Sequence, residues 1–263
     1  MSWTEESIAF LRDAAAMNRY YETIAERIAP QLPENAHICD AGCGIGELSL
    51  ALKPYCRHVT AVDADALAIK TLKAHLIEGV TAICGDVEAL TPKEPYDAMV
   101  FCLFGRTEDT LRIARKQCRG RIFLVKRDYS HHRFSAGKVS LGEYTAGSTE
   151  AVLHEKGVPY TVELFPAKCG QPFRSLEAAE RFFALYNRSR SETLSKDEIK
   201  ARLLRVQQTL DGGESGGIVK NFDCVVAGAA GKMRHGSVAI AHDTVYNFVE
   251  RSVAAASVQA HLL

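Results

Sequence analysis

Residues 37–52 read His37-Ile38-Cys39-Asp40-Ala41-Gly42-Cys43-Gly44-Ile45-Gly46-Glu47-Leu48-Ser49-Leu50-Ala51-Leu52, and their pattern decides the fold. A short apolar run closes on Asp40, a G-x-G-x-G turn follows, and a helix is expected over 47–53. Strand, glycine turn and helix in that order aim backbone N–H groups and a helix N-terminus at one point, and the glycines let a ligand approach the backbone closely. Purely structural turns share this pattern, so the variant matters. The dinucleotide fingerprint G-x-G-x-x-G would need glycine at position 47, where this chain has Glu47. The Gly-Lys-Ser/Thr of a Walker loop is also missing. A diphosphate site is disfavoured.

Working outward, short apolar runs alternate with helical stretches. Strands are expected over 37–40, 58–63, 80–84, 96–104 and 121–126, with helices over 47–53, 66–76 and 108–118 between them. That alternation predicts an α/β fold with a mostly parallel, doubly wound sheet, and runs such as HVTAVD and RIFLVK suit strands covered on both faces. Ahead of it, Ile8, Leu11, Tyr20, Tyr21, Ile24, Ala25 and Ile28 fall at helical spacing and predict two helices with a break near Asn18. Beyond Asp128 the rhythm changes. A polar loop over 130–144 leads to a helix over 149–156 and a strand over 160–165, then amphipathic helices over 175–187 and 196–210. A strand over 218–227 and an Ala/Val-rich helix over 244–260 complete the expectation. The organisation predicted is an N-terminal helical cap (1–35), a Rossmann-like body (36–170 with 215–232), a helical lid inserted at 171–214 and a C-terminal helical tail (233–263). The tail helix either docks on the body or makes a homodimer contact.

Composition narrows the function. Lys plus Arg and Asp plus Glu number 32 each in 263 residues. That balance lacks the basic excess of a protein that grips nucleic acid by its phosphates. The start carries Glu5, Glu6, Arg12 and Asp13 rather than a basic segment and apolar core, and no apolar run approaches the roughly 20 residues needed to span a bilayer. Eight cysteines are scattered without a C-x-x-C pair, a pattern of reduced thiols. The expectation is a cytoplasmic protein.

Two further acids stand at strand ends. Asp63 closes the second strand, where a carboxylate can accept from both ribose hydroxyls, and Asp86 follows the third, placed to accept from an adenine amino group. Through HICDAGCGIGELSLAL, VTAVDADALAI, ICGDVEAL and YDAMVFCLF the chain resembles the class I S-adenosylmethionine-dependent methyltransferases, in detail over 36–128 and in element order throughout. The resemblance implies seven strands, the last antiparallel and inserted between the fifth and sixth, with S-adenosylmethionine as cofactor. It implies that Asp40 and the Gly42 carbonyl orient the methionine ammonium above Cys43, Gly44 and Gly46. Asp63 with Ala64 would hold the ribose, Asp86 with Val87 would frame the adenine, and Phe101, Cys102 and Leu103 would lie beside the sulfonium. Tyr20 or Tyr21 would close over the methionine carboxylate. Residues 164–170 and the inserted helices resemble the lid of small-molecule members, and the N-terminal helices commonly close the other side.

The acceptor is harder to read, because an activated methyl needs mainly alignment of a nucleophile and exclusion of water. Asp128, His131 and His132 follow the fifth strand and face the expected crevice, and histidine suits a general base; solvated loop residues would look the same. No third and fourth ligand accompany the paired histidines, so no metal site is expected. Members that methylate amino groups of bases and proteins often carry Asn/Asp-Pro-Pro-Tyr/Phe after the fourth strand, where this chain has Cys102-Leu103-Phe104-Gly105. A small-molecule methyl acceptor is therefore the leading expectation, with Arg174 or Arg190 of the lid available to an anionic one. An RNA or protein-side-chain methyltransferase, or a non-catalytic S-adenosylmethionine-binding protein, are the alternatives.

Overall fold

The computed structural model describes residues 2–75, 77–168, 170–206, 222–225 and 250–259. Five strands follow one another as expected: β1 (His37–Ala41), β2 (His58–Asp63), β3 (Val80–Cys84), β4 (Tyr96–Cys102) and β5 (Cys118–Arg127). Two more, β6 (Tyr160–Lys168) and β10 (Glu250–Gln259), complete a seven-stranded sheet of order β3-β2-β1-β4-β5-β10-β6. β10 runs antiparallel to both β5 and β6; every other described pairing in this sheet is parallel. The order reverses between β1 and β4, which opens a crevice at the carboxyl ends of the strands.

Strand alternation sends successive side chains to opposite layers. Met99, Phe101, Ile122 and Leu124 face one core with Leu111 and Ala114 of α5 (Thr107–Gln117) and Leu153 of α6 (Ala146–Glu155). Val100, Phe123 and Val125 face the other, with Ile24 and Ile28 of α2 (Tyr20–Ile28) and Leu48 and Leu52 of α3 (Glu47–Leu52). α4 (Ala66–Lys73) starts at Asp65, whose side chain accepts from the N–H groups of Leu67 and Ala68 and so satisfies two of the helix's orphan donors.

α1 (Glu5–Met17) starts with a capping box between Thr4 and Ser7. Its Ile8 packs with Ile45 behind the glycine turn and Ala68 of α4. Its Phe10 joins Phe173, Phe182, Phe183 and Ile199 in a separate apolar cluster. That cluster is the core of a cap made of β7 (Gln171–Phe173), α7 (Leu176–Tyr186), α8 (Lys196–Ala201), β8 (Leu203–Val206) and β9 (Phe222–Val225), whose strands form a second sheet of order β7-β9-β8. α1 therefore ties the cap to the glycine turn.

Several expectations need correction. The antiparallel strand closing the main sheet is β10, not 218–227, and it occupies most of the stretch expected to be a tail helix. Alanine favours helix, yet pairing along both edges overrides propensity in a strand that must fit between two others. The body is thus completed from 250–259, inside the supposed tail. The strand expected over 218–227 exists as β9 but belongs to the cap. The helix expected over 196–210 ends at Ala201 and gives way to β8, which pairs with β9. Residues 164–168, assigned to the lid by resemblance, lie in β6 of the main sheet. Positions 207–221, 226–249 and 260–263, which carry the remainder of these expectations, lie outside the described residues.

Candidate active site

The glycine turn is shaped by backbone strain that only glycine relieves and by close approach. Gly42 has φ 72° and Gly44 φ 54°, both in the left-handed region. A Cβ on Gly42 would run into the Phe104 ring, and one on Gly44 would lie 2.7 Å from Trp3 Cζ2. The N–H groups of Gly42 and Cys43 donate to the Val62 carbonyl at 2.8 and 3.0 Å, locking the turn onto β2.

The three strand-end acids stand around this turn. Asp40 is buried at 1% exposure and accepts from the Ser49 hydroxyl at 2.6 Å. Burial pushes its carboxyl up to about 6, with a smaller push from Asp63 and an opposing pull from Ser49. Asp63 Oδ2 accepts from the Gly44 N–H at 2.8 Å and its Oδ1 from the Asp65 N–H at 2.9 Å. Each carboxylate oxygen keeps a second lone pair, so Asp63 can brace the turn and still accept from a ligand. Asp86 is exposed and caps a short turn over Val87–Ala89 through the Glu88 N–H.

Above these acids lies a crevice of two connected lobes. Ala64, Asp86 and Val87 line the outer lobe, of about 460 Å³. Tyr20, Tyr21, Asp40, Cys43 and Cys102 line the inner lobe, of about 450 Å³, together with Arg127, His132, Phe134, Tyr186 and Arg188. Trp3, Gly42, Asp63 and Phe104 border both, so a bipartite ligand would pass over the glycine turn between them. Trp3 is anchored there, its backbone N–H donating to Asp65 Oδ2 at 2.8 Å; that bond, with the α4 cap, holds the Asp65 carboxyl below its ordinary value.

The loop after β4 forms the wall between the lobes. Leu103 sits at φ 53°, an uncommon conformation for a branched side chain. The fully buried Lys126 holds the loop by donating to the carbonyls of Phe104 at 3.1 Å and Gly105 at 2.8 Å. Burial pulls that ammonium down to about 8.

Most residues singled out in the sequence therefore converge. Tyr20, Tyr21, Asp40, Gly42, Cys43, Gly44, Asp63, Ala64, Asp86, Val87 and Cys102 all line the crevice. Gly46 does not; it caps α3 at φ 87° and lies against Leu72. Phe101 lies fully buried behind the wall and stacks on Phe104 with centroids 6.5 Å apart. Asp128 and His131 are exposed and outside the lining, whereas His132 borders the inner lobe. Among the described residues no cluster of three His, Cys, Asp or Glu side chains could hold a metal ion.

Trp3, Phe104, Arg127, Phe134 and Arg188 escaped the sequence reading as site residues. Arg127 carried a signal: it ends β5 on the same layer as Phe123 and Val125, and hence beside Tyr20 and Tyr21 of α2. Arg174 is exposed and outside the lining, as is Arg190, whereas Arg188 lies in the lining.

A glycine cradle, a buried cation-seeking acid and two acids at the ends of adjoining strands fit S-adenosylmethionine, whose ammonium and hydroxyls need such acceptors. The seven-stranded order with its antiparallel insertion is that of the class I methyltransferases. A family model described as a methyltransferase domain matches residues 38–119. No curated protein matches the chain. Among solved structures, YcgJ from Bacillus subtilis is 13% identical, with 91% of this chain and 98% of that one covered at a TM-score of 0.50. Magnesium protoporphyrin IX methyltransferase from Synechocystis PCC 6803 is 16% identical over 58% of this chain and 78% of its own, with a TM-score of 0.44. An rRNA methylase from Streptococcus thermophilus is 20% identical over 57% and 88%, at 0.41. At 13% identity the likeness to YcgJ is one of fold.

Proposed function

We propose that this chain transfers the methyl group of S-adenosylmethionine to a small-molecule acceptor held in the inner lobe. The observation that carries this reading is the enclosure of that lobe: α1, the loop bearing His132 and Phe134, and the end of α7 border it together with the glycine turn. A cavity of that size, with aromatic walls and a set of convergent polar groups, suits a small ligand. Equal numbers of basic and acidic residues weigh against a nucleic-acid acceptor.

When bound, S-adenosylmethionine supplies an electrophilic methyl on a sulfonium. The chain's residues supply the rest. Asp40 accepts from the methionine ammonium, Asp63 from the ribose, and Asp86 and Val87 frame the adenine. Tyr20 and Tyr21 stand at the methionine end, and Cys102 and Leu103 at the reacting centre. Phe104, Phe134 and Tyr186 exclude water and align the acceptor, which accounts for the alignment such a displacement requires. His132, rather than Asp128 or His131, is placed to receive a proton from a protonated nucleophile. Cys39, Cys43, Cys56, Cys84, Cys102 and Cys118 are free thiols, which supports a reducing, cytoplasmic setting. Among the described residues no helix is long and apolar enough to cross a membrane.

Incubation with S-adenosylmethionine and a panel of small phenols, thiols, amines and acids, read as S-adenosylhomocysteine release, tests this reading. Acceptor-dependent release is expected. Turnover with structured RNA or a protein substrate and with none of the small molecules would overturn it.

A further inference from the structure

The inner lobe is electrically divided. Among the described residues that line it, Asp40 and Asp63 are the acids, at the ends of β1 and β2, and both are engaged at the glycine turn. Arg127 ends β5, which lies two strands from β1 in the sheet and on the far side from β2. Asp40 is level with Val100 and Val100 with Phe123, so Arg127 lies two strands across and four residues further along β5, about 16 Å from Asp40 by strand spacing and rise. Among the described residues, Arg127 has no ion-pair partner.

Two more nitrogen-bearing residues border the lobe, and Ser135 joins the His132 ring to the backbone of Arg188. The buried Ser135 hydroxyl accepts from the Arg188 N–H at 2.8 Å and hydrogen-bonds His132 Nδ1 at 2.8 Å. The loop after β5 and the residue after α7 are thereby held at one place on the lobe's wall. Phe134 lies edge-on to His132 at 5.8 Å and to Tyr186 at 6.2 Å, so the nitrogen-bearing side chains are interleaved with flat apolar faces. The half-buried Arg127 guanidinium costs desolvation unless an anion completes it, and the more exposed Arg188, lining the same lobe, offers a second planar donor set of the kind that matches a carboxylate.

We propose that the methyl acceptor is an aromatic carboxylic acid, its carboxylate held by Arg127 and Arg188 and its ring lying among Phe134 and Tyr186. This rests on the reading of the inner lobe as the acceptor site. The test titrates the protein, saturated with S-adenosylhomocysteine, with 4-hydroxybenzoate and with the neutral 4-hydroxybenzamide by calorimetry. The benzoate is expected to bind at least tenfold more tightly than the amide. Arg127→Gln and Arg188→Gln are each expected to cut that preference about tenfold while leaving the Kd for S-adenosylhomocysteine within twofold of wild type. Equal binding of the two probes, or binding of neither, overturns the proposal. So does a tenfold loss of S-adenosylhomocysteine affinity in both variants with the preference intact, because the arginines would then serve the methionine carboxylate. If folded wild type fails to bind S-adenosylhomocysteine, the methyltransferase reading itself fails. The same two probes on the ligand-free protein then report on the anion site alone: a benzoate preference keeps it, and none removes it.

Discussion

The backbone N–H of Gly44 donates to Oδ2 of Asp63 at 2.8 Å, so the acid assigned to the ribose also sets the shape of the turn beneath it. Asp63→Ala removes both functions. It is expected to weaken S-adenosylhomocysteine binding at least tenfold, and to cost about 1–3 kcal/mol in chemical unfolding for the unmet donors. Unchanged affinity in the variant would place the ribose elsewhere.

Asp40 makes binding depend on pH. Its folded carboxyl titrates near 6 against 3.8 in an ordinary setting, so between those values the folded state holds the extra proton and stability falls as pH rises. The ligand's ammonium favours the ionised form. Affinity for S-adenosylhomocysteine is therefore expected to fall about tenfold per pH unit below 6 and to level off above 7. Asp40→Asn should bind weakly with a flat profile. Calorimetry from pH 5 to 8 reads both; a flat wild-type profile would refute the assignment.

Trp3 is the chain's one tryptophan and borders both lobes. Its emission is expected to shift or quench as S-adenosylhomocysteine binds, saturating with the calorimetric Kd. Calorimetric binding without any change in emission would mean that the ligand does not pass Trp3.

Lys126 carries an opposite linkage. Its folded ammonium titrates near 8 rather than 10.5 because it is buried. Below pH 8 both states are protonated; between 8 and 10.5 the unfolded chain holds the extra proton, so this residue's contribution to stability rises with pH. Relative to Lys126→Met, wild type should gain about 3 kcal/mol across that window in urea unfolding. A constant difference would contradict the burial.

The legible parts of the molecule were local in sequence. The glycine turn, the acids ending β1 and β2 and the acid after β3 sit where strand and turn chemistry put them, and a few neighbouring residues suffice to recognise each. His132 was legible as a crevice residue, whereas Arg127 and Arg188 were not, because they come from a strand end and the stretch beyond a helix. Only tertiary packing brings them together. β10 was misread for a related reason: its alanines and valines suit a helix, and what makes it a strand is the pair of neighbours, β5 and β6, contributed from far away. Trp3 was hidden too, since nothing near position 3 points to Gly44 and Asp65.

The central claim is that the crevice over Asp40, Gly42 and Asp63 holds the methyl donor. Calorimetric titration of the folded protein with S-adenosylhomocysteine at pH 7.5 tests it most directly. One ligand per chain is expected, with binding abolished or weakened at least tenfold in Asp63→Ala. No heat of binding at millimolar ligand, from a sample shown by circular dichroism to be folded, would contradict it.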